Sequence, residues 1–197
     1  MESLLPMAIR LPHRAPSILL VPVAISALIL ASCQGAEAAR CRADADLSST
    51  LTPVQLSLDT AACVQRGAWT RASLLFGLAK TYALTDAVRL EAMAGAAPQG
   101  WPGPMLPALI LRDRLDPAQV RRLQEEIRAL AENPARHRQL CSLLRRVGPP
   151  SYSPLYRVDD RWQVSAPPQG DAPKAKAVTK AAWERVLSKQ VDCSPAG

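Results

Sequence analysis

The chain has 197 residues, 48% of them hydrophobic by type but only 4% aromatic, and a formal net charge of +7. That length suits one domain with a single hydrophobic core. Alanine and leucine are abundant and strand formers sparse, which sets aside a sheet-dominated fold in favour of helices. A basic chain is drawn to anionic partners such as acidic glycans, lipid headgroups or nucleic acid, and the same charge also simply keeps a protein soluble.

Near its start the chain carries Arg10, His13 and Arg14 ahead of the apolar run APSILLVPVAISALIL, which contains Pro16 and Pro22. The run is 16 residues long. A membrane-spanning helix wants roughly 20, and a cleaved export signal needs about 7 to 15 behind positive charge. The segment is therefore expected to be a targeting leader. Two cut sites follow it. AEA, Ala36 to Ala38, has the A-x-A pattern of a signal-peptidase site. LASC, Leu30 to Cys33, stands directly at the end of the apolar run, while AEA comes later, past Gln34.

LASC resembles the bacterial lipobox: leucine, two small residues, then the cysteine that becomes the new N-terminus. The resemblance implies that residues 1–32 are a lipoprotein signal peptide. It also implies that Cys33 carries a diacylglycerol thioether and an N-acyl chain such as palmitate. Each buried methylene adds about 0.8 kcal/mol of membrane affinity, so several chains anchor a protein stably. The implied place is the bacterial cell envelope, and Gln34 in place of aspartate implies the outer membrane, facing the periplasm. Losing the leader removes Arg10, Arg14 and Glu2, so the mature chain stays basic.

With Cys33 lipidated or removed, Cys41, Cys63, Cys141 and Cys193 remain. An even number in an exported chain reads as two disulfides. Three pairings are open. Cys41 with Cys63 and Cys141 with Cys193 is preferred, because each bond would staple a terminal segment to a nearby helix.

Residues 33–51 are small and polar and are expected to form a flexible tether, leaving 52–193 as a single helical domain. Thr52, Pro53 and Gln55 make a capping box with proline at the first helical position. Val54, Leu58, Ala61 and Ala62 follow at helical spacing until Gly67. Trp69, Ala72, Phe76, Ala79 and Ala83 then mark one face of a second helix. A third, from Asp86 to Ala94, stops at Gly95. The loop GAAPQGWPGP is dense in turn formers and holds Trp101, which is expected to dock on the core or on a partner.

Gly67, Trp69, Ala72, Phe76 and Ala79 resemble the spacing of a tetratricopeptide repeat, in which small residues let helices approach and large ones fill the gap. The resemblance implies antiparallel helical hairpins that contact protein or peptide. It covers one half-repeat. Leu84 stands where the repeat has proline, and no second copy follows at the 34-residue period.

A short helix is expected over Met105 to Leu115. Asp116, Pro117 and Gln119 repeat the capping arrangement, with Val120, Leu123, Ile127 and Leu130 as the buried stripe. Asn133-Pro134 starts the next helix, which buries Leu140, Leu143, Leu144 and Val147 and ends at Gly148. The two helices should lie antiparallel. Leu155–Val158 and Arg161–Val164 alternate around Asp159-Asp160 as a small β-hairpin lacking the usual glycine. After the linker SAPPQGDAPKAKA, a C-terminal helix over 175–190 turns Val178, Ala182, Val186 and Leu187 inward and Lys176, Lys180 and Lys189 outward.

No H-E-x-x-H, G-x-S-x-G, P-loop or S-x-x-K pattern occurs. His137 and Cys141 stand four apart, the spacing of a metal pair or of a thiol with its base, but no further ligand is spaced nearby. No metal, cofactor or catalytic residue is therefore expected. Glu125 and Glu126 point about 100° apart on a helix, too far to act together. Arg121 with Glu125, Arg122 with Glu126 and Arg128 with Glu132 suit a solvated face of i,i+4 pairs. Asp44 and Asp46 have no evident role. PARHRQLCSLLRRV is different, because Arg138, Arg145 and Arg146 lie opposite the leucines with no acid among them. Such a face suits an acidic partner or phosphate.

The expectation is a non-enzymatic envelope lipoprotein that works as a protein- or peptide-binding adaptor. Arg138, Arg145, Arg146 and Trp101 are its contact residues, and no nucleic-acid partner is expected. Two alternatives stay open: an envelope enzyme or enzyme accessory built on His137, Tyr152 and Tyr156, and an immunity-type inhibitor of an envelope toxin.

Overall fold

The first helix, α1 (Pro53–Gln65), opens as its capping box requires. The Thr52 hydroxyl accepts from the Gln55 amide at 3.3 Å, and Gln55 Oε1 accepts from the Thr52 amide at 2.9 Å. The computed structural model describes residues 39–94, 101, 103–165 and 172–193, with only the backbone of residues 94 and 172–177. The leader, both cut sites, Cys33, most of the 95–104 loop and residues 166–171 of the linker lie outside the described residues.

Gly67, at φ +71°, closes the end of α1, where its amide donates to Val64 O and the Ala68 amide to Cys63 O. The next helix, α2 (Trp69–Ala94), runs unbroken for 26 residues, about 39 Å at 1.5 Å per residue. The expected break before Asp86 does not occur, because neither glycine nor proline stands between Ala83 and Asp86. The helix instead continues through Leu84 and Thr85. Helices α1, α4 (Pro117–Glu132), α5 (Pro134–Val147) and α6 (Ala172–Lys189) all pack on α2. Ala72, Ala79 and Ala83 are buried, with Trp69 and Phe76 half-buried. At Gly77 a Cβ would stand 2.7 Å from Leu140 Cδ1, so the missing side chain sets how closely α5 approaches.

Buried α1 is apolar over more than one face. Leu56, Cys63 and Val64 are buried with Val54 and Ala61, while the expected Leu58 and Ala62 are only half-buried. A helix covered all round needs no clean stripe. Its buried hydroxyls are satisfied locally: Ser57 donates to Pro53 O at 2.6 Å and Thr60 to Leu56 O at 2.8 Å.

The segment before α1 is not a free tether where it is described. Cys41 is bonded to Cys63. Buried Arg42 pairs with buried Asp59 of α1, and the Arg40 amide donates to Asp59 Oδ1 at 2.8 Å. Asp44, given no role by the sequence, takes hydrogen bonds from both Arg71 of α2 and Arg146 of α5. Leu51 is buried. Charge and a disulfide dock a stretch whose composition alone suggests a linker.

Short α3 (Leu106–Arg114) packs on α1 and places Leu106 and Ile110 against Val54 and Tyr156. Helix α4 opens on the expected Asp116–Gln119 capping box, and Asn133 ends α4 while capping α5. Leu123 and Leu130 of α4 are buried, as are Leu140, Leu143 and Leu144 of α5. Of the ion pairs among the described residues, none is an expected i,i+4 pair of α4. Arg122 instead lies 4.6 Å over the Trp69 ring, and Glu126 accepts from Arg136 at 2.6 Å.

The hairpin is shorter than its alternation suggests. Strand β1 (Arg157–Val158) pairs antiparallel with β2 (Val164–Ser165), Val158 facing Val164. Asp159 explains the wide turn, for its carboxylate accepts from the Arg161 amide at 3.0 Å and the Gln163 amide at 2.7 Å. Trp162, at φ +62°, swings its indole onto Asp113 of α3 at 2.8 Å. In α6, Ala182, Trp183, Val186 and Leu187 are buried, and Trp183 meets Tyr82 of α2 edge-on at 5.6 Å. The protein is thus mainly helical, with a small hairpin and a C-terminal helix, and two disulfides tie its described ends.

Candidate functional site

Helices α2, α3 and α4 leave an open apolar groove of about 280 Å³ between them. Leu111 and Leu123 form its buried floor, and Phe76, Leu109, Val120 and Ile127 form half-buried walls. Met105 stands at the rim, 58% exposed, beside Arg112 and Gln124. Each side is dictated locally. Met105, in the turn just before α3, and Ala108, Leu109 and Arg112 of α3 recur at helical spacing, and on α4 Val120, Leu123, Gln124 and Ile127 do the same. Val120, Leu123 and Ile127 were legible as part of a buried stripe, yet the stripe is only partly covered. The volume lies at the lower edge of small-molecule pockets, which run from about 300 Å³. It suits a few apolar side chains of a peptide.

The surroundings are basic. Arg112 lines the groove, and Arg121 and Arg128 stand three residues before and four after Gln124, on the outer edge of α4. The ion pairs among the described residues do not involve these three arginines.

The arginine face of α5 is arranged differently from its expectation. Arg145 donates to Cys193 O at 2.7 Å, and Arg146 pairs with Asp44. Two of the three arginines therefore hold the N- and C-terminal segments onto α5. Arg138 is exposed. Their partners, a backbone carbonyl for Arg145 and a carboxylate for Arg146, are distant in sequence, where a helical wheel does not look.

Trp101 turns inward. It is half-buried with its indole Nε1 covered, and its ring lies close over Gly103, where a Cβ would come 3.3 Å from Cζ3. Lys80 donates to Pro104 O at 2.8 Å and fixes the end of the same loop.

Tyr152 and Tyr156 do come together, on a residue the sequence did not single out. Both hydroxyls donate to Asp86 Oδ2, at 2.9 and 3.3 Å, and Arg89 donates to Oδ1 at 3.0 Å. Arg89 also reaches Tyr152 O at 2.6 Å. Burial pushes the Asp86 carboxyl up to about 7, against the pull of Arg89 and the two tyrosines. Burial and the Asp86 charge hold both tyrosine hydroxyls well above their ordinary value. Asp86 is fully buried and Arg89 nearly so. The network ties the 148–156 segment to α2, helped by Tyr82, which donates to Gly148 O at 2.9 Å.

His137 belongs to a different place. Its Nε2 lies 3.5 Å from Cys141 Sγ and 3.3 Å from Asp192 O. The contacts of Tyr152 and Tyr156 do not include it. Cys141 is bonded to Cys193.

Comparison of the chain with protein-family models, with curated proteins and with solved structures finds no match. The site is therefore defined by its own geometry: an apolar groove with a basic edge, on a helical frame closed by two disulfides.

Proposed function

We propose that the protein is a non-enzymatic adaptor of the bacterial cell envelope, anchored by a lipid at Cys33. In this reading the groove between α2, α3 and α4 takes an amphipathic segment of a partner protein, with apolar anchors and acidic residues beside them. The observation that carries the reading is the half-open groove with Met105 exposed at its rim. Apolar side chains left open to water on a small protein mark interaction surfaces. Arg112, Arg121 and Arg128 add the complementary charge, which speeds encounter and selects an acidic partner over a basic one. The anchor rests on the likeness of LASC to a lipobox.

The test is capture from detergent-solubilised envelopes, with groove variants alongside. Wild-type protein should retain a partner that Met105→Glu loses. Arg112, Arg121 and Arg128 changed together to glutamine should weaken capture, and so should raised salt, because exposed charges are screened over about 8 Å at physiological ionic strength. Thermal stability of both variants should stay within about 0.5 kcal/mol of wild type. A partner retained equally by Met105→Glu would remove the groove from the reading.

A further inference from the structure

His137, Cys141 and Cys193 each bring one ligand atom to a single point, all within 4.8 Å of one another. His137 and Cys141 stand one helical turn apart on α5, so both side chains leave the same face. Cys193 arrives from the far end of the chain, 52 residues away, which is why the sequence offered only two ligands. We propose that reduction of the Cys141–Cys193 disulfide converts this cluster into a binding site for a soft d10 ion, Cu(I) or Zn(II).

The sulfur–sulfur bond is not the whole of what holds Cys193 in place. The Cys193 amide donates to Leu187 O at 2.8 Å, and its carbonyl accepts from Arg145 at 2.7 Å. Asp192 at φ +57° makes the turn that aims Cys193 back at α5. His137 is held by the α5 backbone, whose Asn133 carbonyl accepts from its amide at 2.9 Å. When the bond breaks, two thiols and an imidazole stay gathered at one place.

The chemistry balances simply. An external dithiol supplies two electrons and two protons, becomes a disulfide, and leaves Cys141 and Cys193 as thiols. Metal binding then releases both thiol protons. His137 moves its remaining proton to Nδ1, so that Nε2 offers a lone pair to the ion. Thiolates and imidazole favour soft or borderline ions. Two sulfurs and one nitrogen suit three-coordinate Cu(I), and with one solvent ligand they suit tetrahedral Zn(II). The Cys41–Cys63 bond is the internal control, because the chain has 2 histidines and the other, His13, precedes the lipobox.

The test uses the detergent-purified chain, reduced with a dithiol under nitrogen and freed of reductant. Co(II) is the spectroscopic probe. One equivalent should give a thiolate-to-cobalt charge-transfer band in the near ultraviolet. The double variant Cys141→Ser, Cys193→Ser should lose that band, while Cys41→Ser with Cys63→Ser keeps it. His137→Gln should weaken binding at least ten-fold. Competition against chromophoric chelators, with Zn(II) in one arm and Cu(I) in the other, tells which ion is held more tightly. A band that survives loss of Cys141 and Cys193, or a His137→Gln variant of unchanged affinity, would overturn the proposal. So would a reduced chain that loses its helical circular dichroism and does not regain it with metal, since the site requires a backbone that stays in place.

Discussion

Asp86 is the residue at which burial, charge and pH meet. Its ordinary carboxyl value is 3.8, and burial raises it to about 7 in the folded chain. Below about pH 4 both folded and unfolded chains hold the proton. Between there and neutrality the folded chain binds more protons than the unfolded one, so stability must fall as pH rises through that window. The slope is at most about 1.4 kcal/mol per pH unit for one group. Melting temperature measured from pH 4 to pH 8 should therefore decline, and Asp86→Asn should flatten the decline. Above about pH 7 the variant should also melt lower, because there it leaves the Arg89 charge buried beside a neutral amide in place of a carboxylate, a loss of about 3 to 5 kcal/mol. Asp44 works the other way. Burial pushes its carboxyl up, but the hydrogen bonds and charges of Arg146 and Arg71 outweigh that and hold it below 3.8. Its contribution is present above pH 4 and is lost in stronger acid. Gly77 tests packing at the same scale. Alanine there gains about 1 kcal/mol of helix propensity, yet its Cβ would meet Leu140 Cδ1 at 2.7 Å. Overpacking costs about 1 to 3 kcal/mol, so Gly77→Ala should lower the melting temperature instead of raising it.

At the scale of elements, α5 works as a clamp on both terminal segments. Arg146 reaches Asp44, Arg145 reaches Cys193 O, and Cys141 is bonded to Cys193. Replacing Arg145 and Arg146 with glutamine should thus lower the melting temperature. The share of Arg146 should be under about 1 kcal/mol, since its pair with Asp44 is half-exposed. Arg138→Gln should change stability by less than about 0.5 kcal/mol. Equal, negligible effects at all three positions would mean that the clamp does not hold in solution. The helix ends were legible in the sequence because capping is local: Thr52 with Gln55, Asp116 with Gln119, Asn133 and Gly148 all act within four residues. What the sequence concealed is distant. Asp86 looked like a helix start, and only tertiary contact with Tyr152 and Tyr156 gives it its place inside α2. Trp183 gave no periodic signal that set it apart from Ala182, yet it is buried against Tyr82. The groove was half legible. Its α4 wall showed as an apolar stripe, but whether a stripe is covered depends on how α2 and α3 meet it.

At the scale of the whole molecule, the Cys41–Cys63 disulfide and the expected anchor sit close together along the chain. If Cys33 carries the lipid, six residues separate it from the docked Arg40, a span of at most about 25 Å when fully extended. The groove would then meet only partners held at, or brought to, the same membrane surface, which is what an envelope adaptor requires. Labelled fatty acid should enter the protein and disappear in Cys33→Ser, and that variant should leave the membrane fraction. Gln34→Asp should keep the lipid while moving the protein from the outer to the inner membrane, if the enteric sorting pattern that Gln34 resembles applies. A mature N-terminus at Ala39 would overturn the anchor, for cleavage after AEA removes Cys33 altogether. That outcome would leave the folded domain intact, since Cys41 and the Arg42–Asp59 pair lie beyond the cut. Capture through the groove would then proceed from solution. The anchor and the groove are thus separable, and the Cys33→Ser variant assayed with envelope extract reads each without the other.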